Sequence, residues 1–384
     1  MSYEDSSREW HPGAFTRRRL MRRAAELSAM ATLPAVLAAC GDDDDESSGS
    51  DSADSGGSAK PKVEGTIKLL TYPEWIGDKE VQWFEEKYPK ANVEEVADTS
   101  SGAASTVALL SRSKGDYDIV LGGKTTGMQL EAADLLEPFD PARAPQVENM
   151  PQAVREELTL GVPGDIGKTG FGYRQDLISE RPTSWAEFWD LAKKYSGKTT
   201  MFKYDVDVTG AALIYSGHEV NATEQSAIDD AKAALLDIKP HLRALLETNL
   251  SKPLLEGTAF LAMDYDYDIA AASRENEDIV WVTPEEGLPA YIEGWLPLKD
   301  SENLDTVYAF LNEHMRPRTY ANYINTIGAA YLMPDAEPYI NEEIKGNPAL
   351  RYNEEEFTRI EFVQFLGAEA AAARARMWEE FLAA

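Results

Sequence analysis

From Val63 onward the chain alternates short apolar runs with longer amphipathic stretches, and this alternation narrows the possible folds more than any other feature. A short apolar run is buried best as a strand with neighbours on both sides, and an amphipathic stretch of helical period needs a surface to cover. Repeated in turn, the two build a largely parallel sheet flanked by helices. Thr66–Tyr72 reads as a strand, and Lys79–Tyr88 as a helix with Val81, Phe84 and Tyr88 on one face. Tyr117–Leu121 reads as a short buried strand that stops at Gly122-Gly123. Ser184-Trp185-Ala186-Glu187 has the form of a capping box, opening a helix that carries Trp185, Phe188 and Leu191 at helical spacing. Ser226–Leu246 reads as a helix broken at Pro240. Gly257–Met263 and Asp278–Val282 read as strands, and Leu304–Ala384 as mostly helix. A body of about 320 residues exceeds one ordinary domain, so the pattern predicts an α/β protein of two lobes.

The first sixty residues follow a different logic. Thr16-Arg17-Arg18-Arg19-Leu20-Met21, with Arg22 and Arg23 behind it, is a basic block followed by a small, apolar run from Ala29 to Ala39. This is the layout of an export signal, and the run is too short and too mild for a spanning helix. The paired Arg17 and Arg18 predict a twin-arginine signal. Leu37-Ala38-Ala39-Cys40 resembles the lipobox of bacterial lipoproteins, which implies lipidation at Cys40 and a signal segment over residues 1–40. Cys40 is the only cysteine, so neither a disulfide nor a cysteine-rich metal site can form. Gly41–Lys60 is almost entirely Asp, Ser and Gly, a composition that cannot bury a core, and residues 41–62 read as a disordered acidic tether. The expected address is outside the cell membrane, in the periplasm or on the cell surface, held by the lipid.

A formal charge of −30 argues against nucleic acid as a partner, because phosphates demand a basic surface. It suits solubility, adaptation to salt, or attraction of a cationic ligand. Covalent chemistry finds little support. There is no G-x-S-x-G elbow, no phosphate-cradling glycine loop, and no metal-ligand spacing among His11, His218, His241 and His314. The expectation is therefore a protein that is not an enzyme and needs no cofactor.

One stretch carries more chemistry than the rest. In Ala262-Met263-Asp264-Tyr265-Asp266-Tyr267-Asp268, three carboxylates alternate with two phenols after an apolar run. Asp264, Asp266, Asp268 and Glu275 occupy positions 1, 3, 5 and 12 of a calcium loop, but position 6 is Ile269 where such a loop needs glycine, and position 9 is Ala272. No metal site is expected. A carboxylate-pair glycosidase or a calcium- or glycan-dependent surface enzyme or adhesin remains an alternative of another class. Carboxylates beside aromatic faces also suit a protonated amine, which needs its charge answered and its methylenes covered. The bland reading is three solvated acids above two packed phenols.

Several blocks, in order, resemble the extracellular solute-binding proteins of ABC importers, most closely the spermidine/putrescine-binding group. Thr66–Trp75 is similar to the family's first strand and its aromatic-x-Glu-aromatic ligand segment; Tyr117-Asp118-Ile119-Val120 to its Tyr-Asp strand; Thr183–Trp189 to its Thr-Ser-Trp helix start. Leu255-Glu256-Gly257 with Ala262-Met263, Tyr291–Trp295 and Asn325–Gly328 resemble three later segments. The resemblance implies a two-lobed, type II periplasmic-binding-protein-like α/β fold with a ligand cleft between the lobes. It would place lobe 1 over residues 63–165 and 296–350, lobe 2 over 166–295, and C-terminal helices over 351–384 packing on the lobes. It implies a ligand set of Tyr72, Glu74, Trp75, Thr125, Asp205, Tyr265, Asp266, Tyr291 and Glu293, with Asp207 competing for the place of Asp205. It further implies a small cationic ligand such as putrescine or spermidine, an ABC permease as partner, and action as a monomer. Departures at two places bear on the ligand: Lys124 follows Gly122-Gly123 where the family offers hydroxyls, and Tyr265 and Tyr267 stand where it has tryptophan and glycine. Lys124 could pair with Glu74 or Glu293, or read the anionic end of an amino-acid-like or anionic solute.

Overall fold

The computed structural model describes residues 61–97, 102–350, 352 and 357–384. Arg17, Arg18, Cys40 and the acidic tether up to residue 60 lie outside the described residues, which begin as the tether ends. Lys62–Ala384 forms one compact unit.

Parallel strands β1 (Gly65–Thr71), β2 (Ala91–Ala97) and β3 (Ile119–Gly123) form one half-sheet, with β1 in the middle. The long strand β4 (Val162–Arg174) follows, and is buried along its whole length. A second parallel half-sheet contains β5 (Thr199–Phe202), β6 (Leu242–Leu246) and β7 (Leu261–Tyr265), with β5 in the middle. Strand β8 (Ile279–Val282) pairs with the far end of β4, and β9 (Leu288–Pro297) runs back antiparallel to both β4 and β3. A short β10 (Ile360–Phe362) adds in parallel to the start of β9. The order β2-β1-β3-β9-β4-β7-β5-β6 is thus two parallel half-sheets joined by two antiparallel crossing strands.

Each half-sheet has its own apolar core. The first gathers Ile67, Leu69, Phe84, Trp295, Phe310, Tyr320 and Tyr323. The second gathers Phe171, Trp185, Phe188, Trp189, Met201, Phe202 and Leu213. Trp185 donates its indole N–H to the carbonyl of Gly287 at 2.8 Å, and Trp189 stacks on Tyr215 with ring centroids 4.3 Å apart. The helix Trp185–Lys194 starts as its sequence predicts: Ser184 Oγ accepts from the Glu187 N–H at 3.1 Å, and the Glu187 carboxylate returns to the Thr183 N–H at 2.6 Å. The chain is a two-lobed α/β protein of the periplasmic-binding type.

Three expectations change. The helix from Gln225 ends at Ile238, and after the turn at Pro240 the chain becomes strand β6 instead of more helix, because Leu242–Leu246 finds the open edge of β5. The C-terminal stretch includes β10 before its helix Gly367–Ala383. That helix buries Met377, Trp378 and Phe381 in the second core, while Arg374 donates to the carbonyls of Val220 and Ala222 at 2.7 Å. Periodicity does not predict β4 at all. Its segment Gly164-Asp165-Ile166-Gly167-Lys168-Thr169-Gly170-Phe171-Gly172 alternates with nothing apolar enough to mark a strand. The glycines are there for close approach: a Cβ on Gly167 would lie 2.3 Å from the Tyr291 ring, and one on Gly170 2.4 Å from Trp281.

Candidate ligand-binding cleft

The carboxyl ends of β1, β3, β5 and β7 all deliver chain to the place where β4 and β9 cross, as the rule for ligand sites in open α/β sheets requires. After β1, a tight turn brings the Trp75 N–H to the Tyr72 carbonyl at 3.1 Å. Tyr72 and Trp75 turn inward, their rings edge to face with centroids 5.9 Å apart. Glu74 between them is exposed, its backbone held at a φ of 63° in the left-handed region. A buried dyad props this turn from behind. The Trp295 indole donates to His314 Nε2 at 3.1 Å, so Nδ1 carries the proton and donates to Glu80 Oε1 at 2.6 Å. The other Glu80 oxygen accepts from the Gly77 N–H at 3.3 Å.

The crossing strands supply the floor. Asp165 of β4 lies directly opposite Glu293 of β9, so the two carboxylates share one face of the sheet. Asp165 accepts a hydrogen bond from the Tyr323 hydroxyl, and Glu293 one from the Tyr72 hydroxyl at 3.4 Å. Burial pushes the Glu293 carboxyl up to about 8, with the nearby Asp165 charge adding to the rise. Burial also lifts Asp165 to about 6, the Tyr323 hydroxyl acting the other way. Two like charges in a partly desolvated cleft resist ionising together.

The second lobe closes the wall. The Asp207 carboxylate accepts from the Thr169 hydroxyl at 2.8 Å and from the Tyr265 hydroxyl at 3.1 Å, and burial raises it to about 6. Tyr265 stacks on Tyr267 with centroids 5.3 Å apart and an interplanar angle of 13°, and meets Tyr291 edge-on at 6.0 Å. Tyr267 in turn meets Trp75 across the lobes at 6.2 Å. Tyr265, Tyr267, Tyr291 and Glu293 are half-buried, as the lining of a solvent-reached cleft would be.

Of the residues the resemblance implied, Tyr72, Trp75, Tyr265, Tyr291 and Glu293 come together. Asp205 does not join them: it is exposed as the first residue of the helix Asp205–Tyr215, and Asp207, two residues on and turned inward, makes the cleft contacts. Thr125 is half-buried in the first turn of the helix Lys124–Ala132. Lys124 pairs with Glu157 at 3.1 Å, and not with Glu74 or Glu293 as the sequence allowed. Asp266 is fully buried, with Lys168 Nζ 3.8 Å from its Oδ2. Burial lifts it to about 7, against the pull of Lys168. Asp264 is likewise buried, accepting from Ser251 Oγ at 2.7 Å and from the Tyr265 N–H at 2.8 Å, and burial raises it well above the usual range. Its neighbour Asp268 is half-buried and raised by burial to about 7. Residues 264–275 form a strand end and a helix, so the acids are not spread around a twelve-residue loop, and among the described residues none group as a metal site.

Sequence reasoning missed Asp165, Lys168, Thr169 and Tyr323. The first three lie on the unpredicted β4. The signal available was glycine recurring every second or third position around polar residues, which marks a strand whose neighbours press close.

Comparison with known proteins decides the family. A model of bacterial extracellular solute-binding proteins matches residues 79–351. The chain belongs to that family. It is 25% identical over 341 residues to the putrescine/cadaverine-binding protein of Pseudomonas aeruginosa, covering 84% of this chain and 95% of that one. It is 22% identical over 308 residues to the putrescine-binding periplasmic protein PotF of Escherichia coli, covering 74% and 82% respectively. Among solved structures, the spermidine/putrescine ABC transporter substrate-binding protein PotD of Streptococcus pneumoniae superposes with a TM-score of 0.74 at 17% identity, over 83% of this chain and 98% of that one. The TpPotD lipoprotein of Treponema pallidum gives 0.72 at 21% identity, over 83% and 99%. This solute-binding protein therefore has binding, not turnover, as its task.

Proposed function

We propose that this solute-binding protein captures an aliphatic polyamine of the putrescine or spermidine class and delivers it to the permease of an ABC importer. The observation that carries this reading is the facing pair Asp165 and Glu293, with Asp207 opposite, beneath the rings of Trp75, Tyr265, Tyr267 and Tyr291. An ammonium group answers carboxylates that otherwise hold protons, and its methylene chain covers the ring faces. The residues proposed to touch the ligand are Tyr72, Trp75, Asp165, Asp207, Tyr265, Tyr291 and Glu293.

Closure of the two lobes about β4 and β9 would bury the ligand and present both lobes to the permease, so occupancy and recognition become one conformational equilibrium. We place the lobe division within these crossing strands. The export signal, with lipidation at Cys40, would hold a monomer on the outer face of the membrane, with the acidic tether as spacer. The names of the relatives support the amine, and the similarity to the Treponema pallidum lipoprotein is compatible with the anchor.

The test is a thermal-shift and calorimetric screen of putrescine, spermidine, amino acids, sugars and calcium. A melting-temperature rise with polyamines alone is expected, because a ligand that binds only the folded state stabilises it. A shift from another solute without any from polyamines would discard the amine and keep the family; a shift from calcium alone would reopen the Asp264–Asp268 segment.

A further inference from the structure

We propose that Lys168 is a built-in ammonium that lowers by one the positive charge the cleft prefers in its ligand, so that the balance between a diamine and an equally long polyamine with one more ammonium is set by this lysine. This rests on the reading of the cleft as a cation site and narrows it.

Lys168 follows Gly167, whose missing side chain admits the Tyr291 ring, and precedes Thr169, whose hydroxyl holds Asp207. It is therefore part of the strand that forms the floor. Its side chain is 1% exposed, and its Nζ lies 3.8 Å from Oδ2 of Asp266, which is 0% exposed. The other Asp266 oxygen accepts from the Lys168 N–H at 3.2 Å and the Tyr267 N–H at 3.0 Å. Oδ2 has no hydrogen-bond partner, so the lysine charge is what faces it. Lysine is seldom buried this deeply unless its charge is answered, and leaving either charge of such a pair alone is costly.

In a closed cleft the charges of wall and ligand must nearly cancel, because low dielectric magnifies any remainder. The wall offers Asp165, Asp207 and Glu293 directly. Lys168 cancels one carboxylate, Asp266, which the family resemblance would otherwise assign to the ligand. It occupies, as a tethered cation, the electrostatic place that an additional ligand ammonium would fill. The wall is left suited to a ligand with one positive charge fewer.

Length and charge must be separated in the test. Spermidine and 1,8-diaminooctane have the same number of backbone atoms between terminal nitrogens and differ by the central ammonium. Calorimetry of both, and of putrescine, is performed on the wild-type protein and on Lys168→Met, Asp266→Asn and the double variant. The expected result is a shift of the spermidine to 1,8-diaminooctane affinity ratio of at least tenfold toward spermidine in Lys168→Met. Asp266→Asn keeps the side-chain shape and shifts it the opposite way, and the double variant, which leaves neither charge alone and so folds if a single variant does not, returns toward the wild-type ratio. A ratio that stays within threefold of wild type in the variants, while the wild-type protein binds putrescine, overturns the inference alone. Failure of the wild-type protein to bind any of the three amines overturns it together with the polyamine reading.

Discussion

Two stretches of this chain place acids beside aromatic rings, and they fold in opposite senses. In Tyr72–Trp75 the rings go inward and the acid, Glu74, stays in solvent on a left-handed backbone. In Asp264–Asp268 the acids Asp264 and Asp266 are buried, and the rings of Tyr265 and Tyr267 line the cleft. The cause is the element each stretch ends. A tight turn after β1 swings Glu74, one residue of the four, away from the protein. The junction of β7 with the helix Asp266–Glu275 instead points alternate residues into backbone N–H groups and a helix N-terminus that welcome carboxylates. An acid beside a ring is thus no guarantee of a ligand carboxylate; the acids that face the rings come from elsewhere, from β4, β9 and the helix after β5.

The comparison is broken most severely at Glu293. Glu293→Gln keeps the shape and removes the charge that faces the proposed ammonium. Loss of one partner of a desolvated charge pair costs about 2–5 kcal/mol, so putrescine affinity should fall by roughly two to three orders of magnitude in calorimetry. An effect below about fivefold would remove Glu293 from the site.

A smaller but cleaner contrast separates Asp207 from Asp205. Asp207→Asn should weaken amine binding by about tenfold to a hundredfold, because Asp207 holds Thr169 and Tyr265 as well as facing the cleft. Asp205→Asn, two residues away and exposed, should change affinity by less than about twofold. Equal effects would mean that the helix start is turned otherwise.

The buried acids also predict a pH dependence of known sign. Glu293 at about 8, Asp266 and Asp268 at about 7, and Asp165 and Asp207 at about 6 hold protons that the unfolded chain has already released. The folded state therefore binds more protons than the unfolded one between the ordinary carboxylate range and pH 8, and stability of the empty protein falls as pH rises through that window. Its melting temperature should be lower at pH 8.5 than at pH 6, and saturating putrescine should shrink the difference. At pH 7 amine binding should release protons, seen as a binding enthalpy that varies with the ionisation enthalpy of the buffer. Uptake of protons would reverse the assignment.

The ring half of the candidate site was partly legible because Tyr72, Trp75 and Tyr265 follow apolar runs at strand ends, where side chains meet ligands, whereas Tyr291, inside β9, came only with the family resemblance. The carboxylate half was less so. Choosing Asp207 over Asp205 requires the phase of a helix whose first turn is acidic at both positions, and one turn of sequence does not carry that phase. Asp165 and Lys168 were hidden for another reason. They sit among glycines whose purpose is to admit Tyr291 and Trp281, partners more than a hundred residues away for which a local pattern carries no signal. The residues that most shape the charge of the cleft are thus those whose environment is furthest from them in sequence.

The smallest expected effect tests the exposed side of the comparison. Glu74 keeps a left-handed backbone that a residue with a side chain adopts at a cost of about 1 kcal/mol, and glycine adopts freely. If the turn serves only to aim Tyr72 and Trp75, Glu74→Gly should leave putrescine affinity within about threefold and raise the melting temperature by roughly 1–3 °C. If Glu74 itself reaches the ligand, affinity should fall by the tenfold or more expected for a lost charge-assisted contact while the stability still rises. The same variant therefore reports strain and contact on separate axes, and it decides whether the exposed acid of Tyr72–Trp75 joins the cleft only once the lobes have closed.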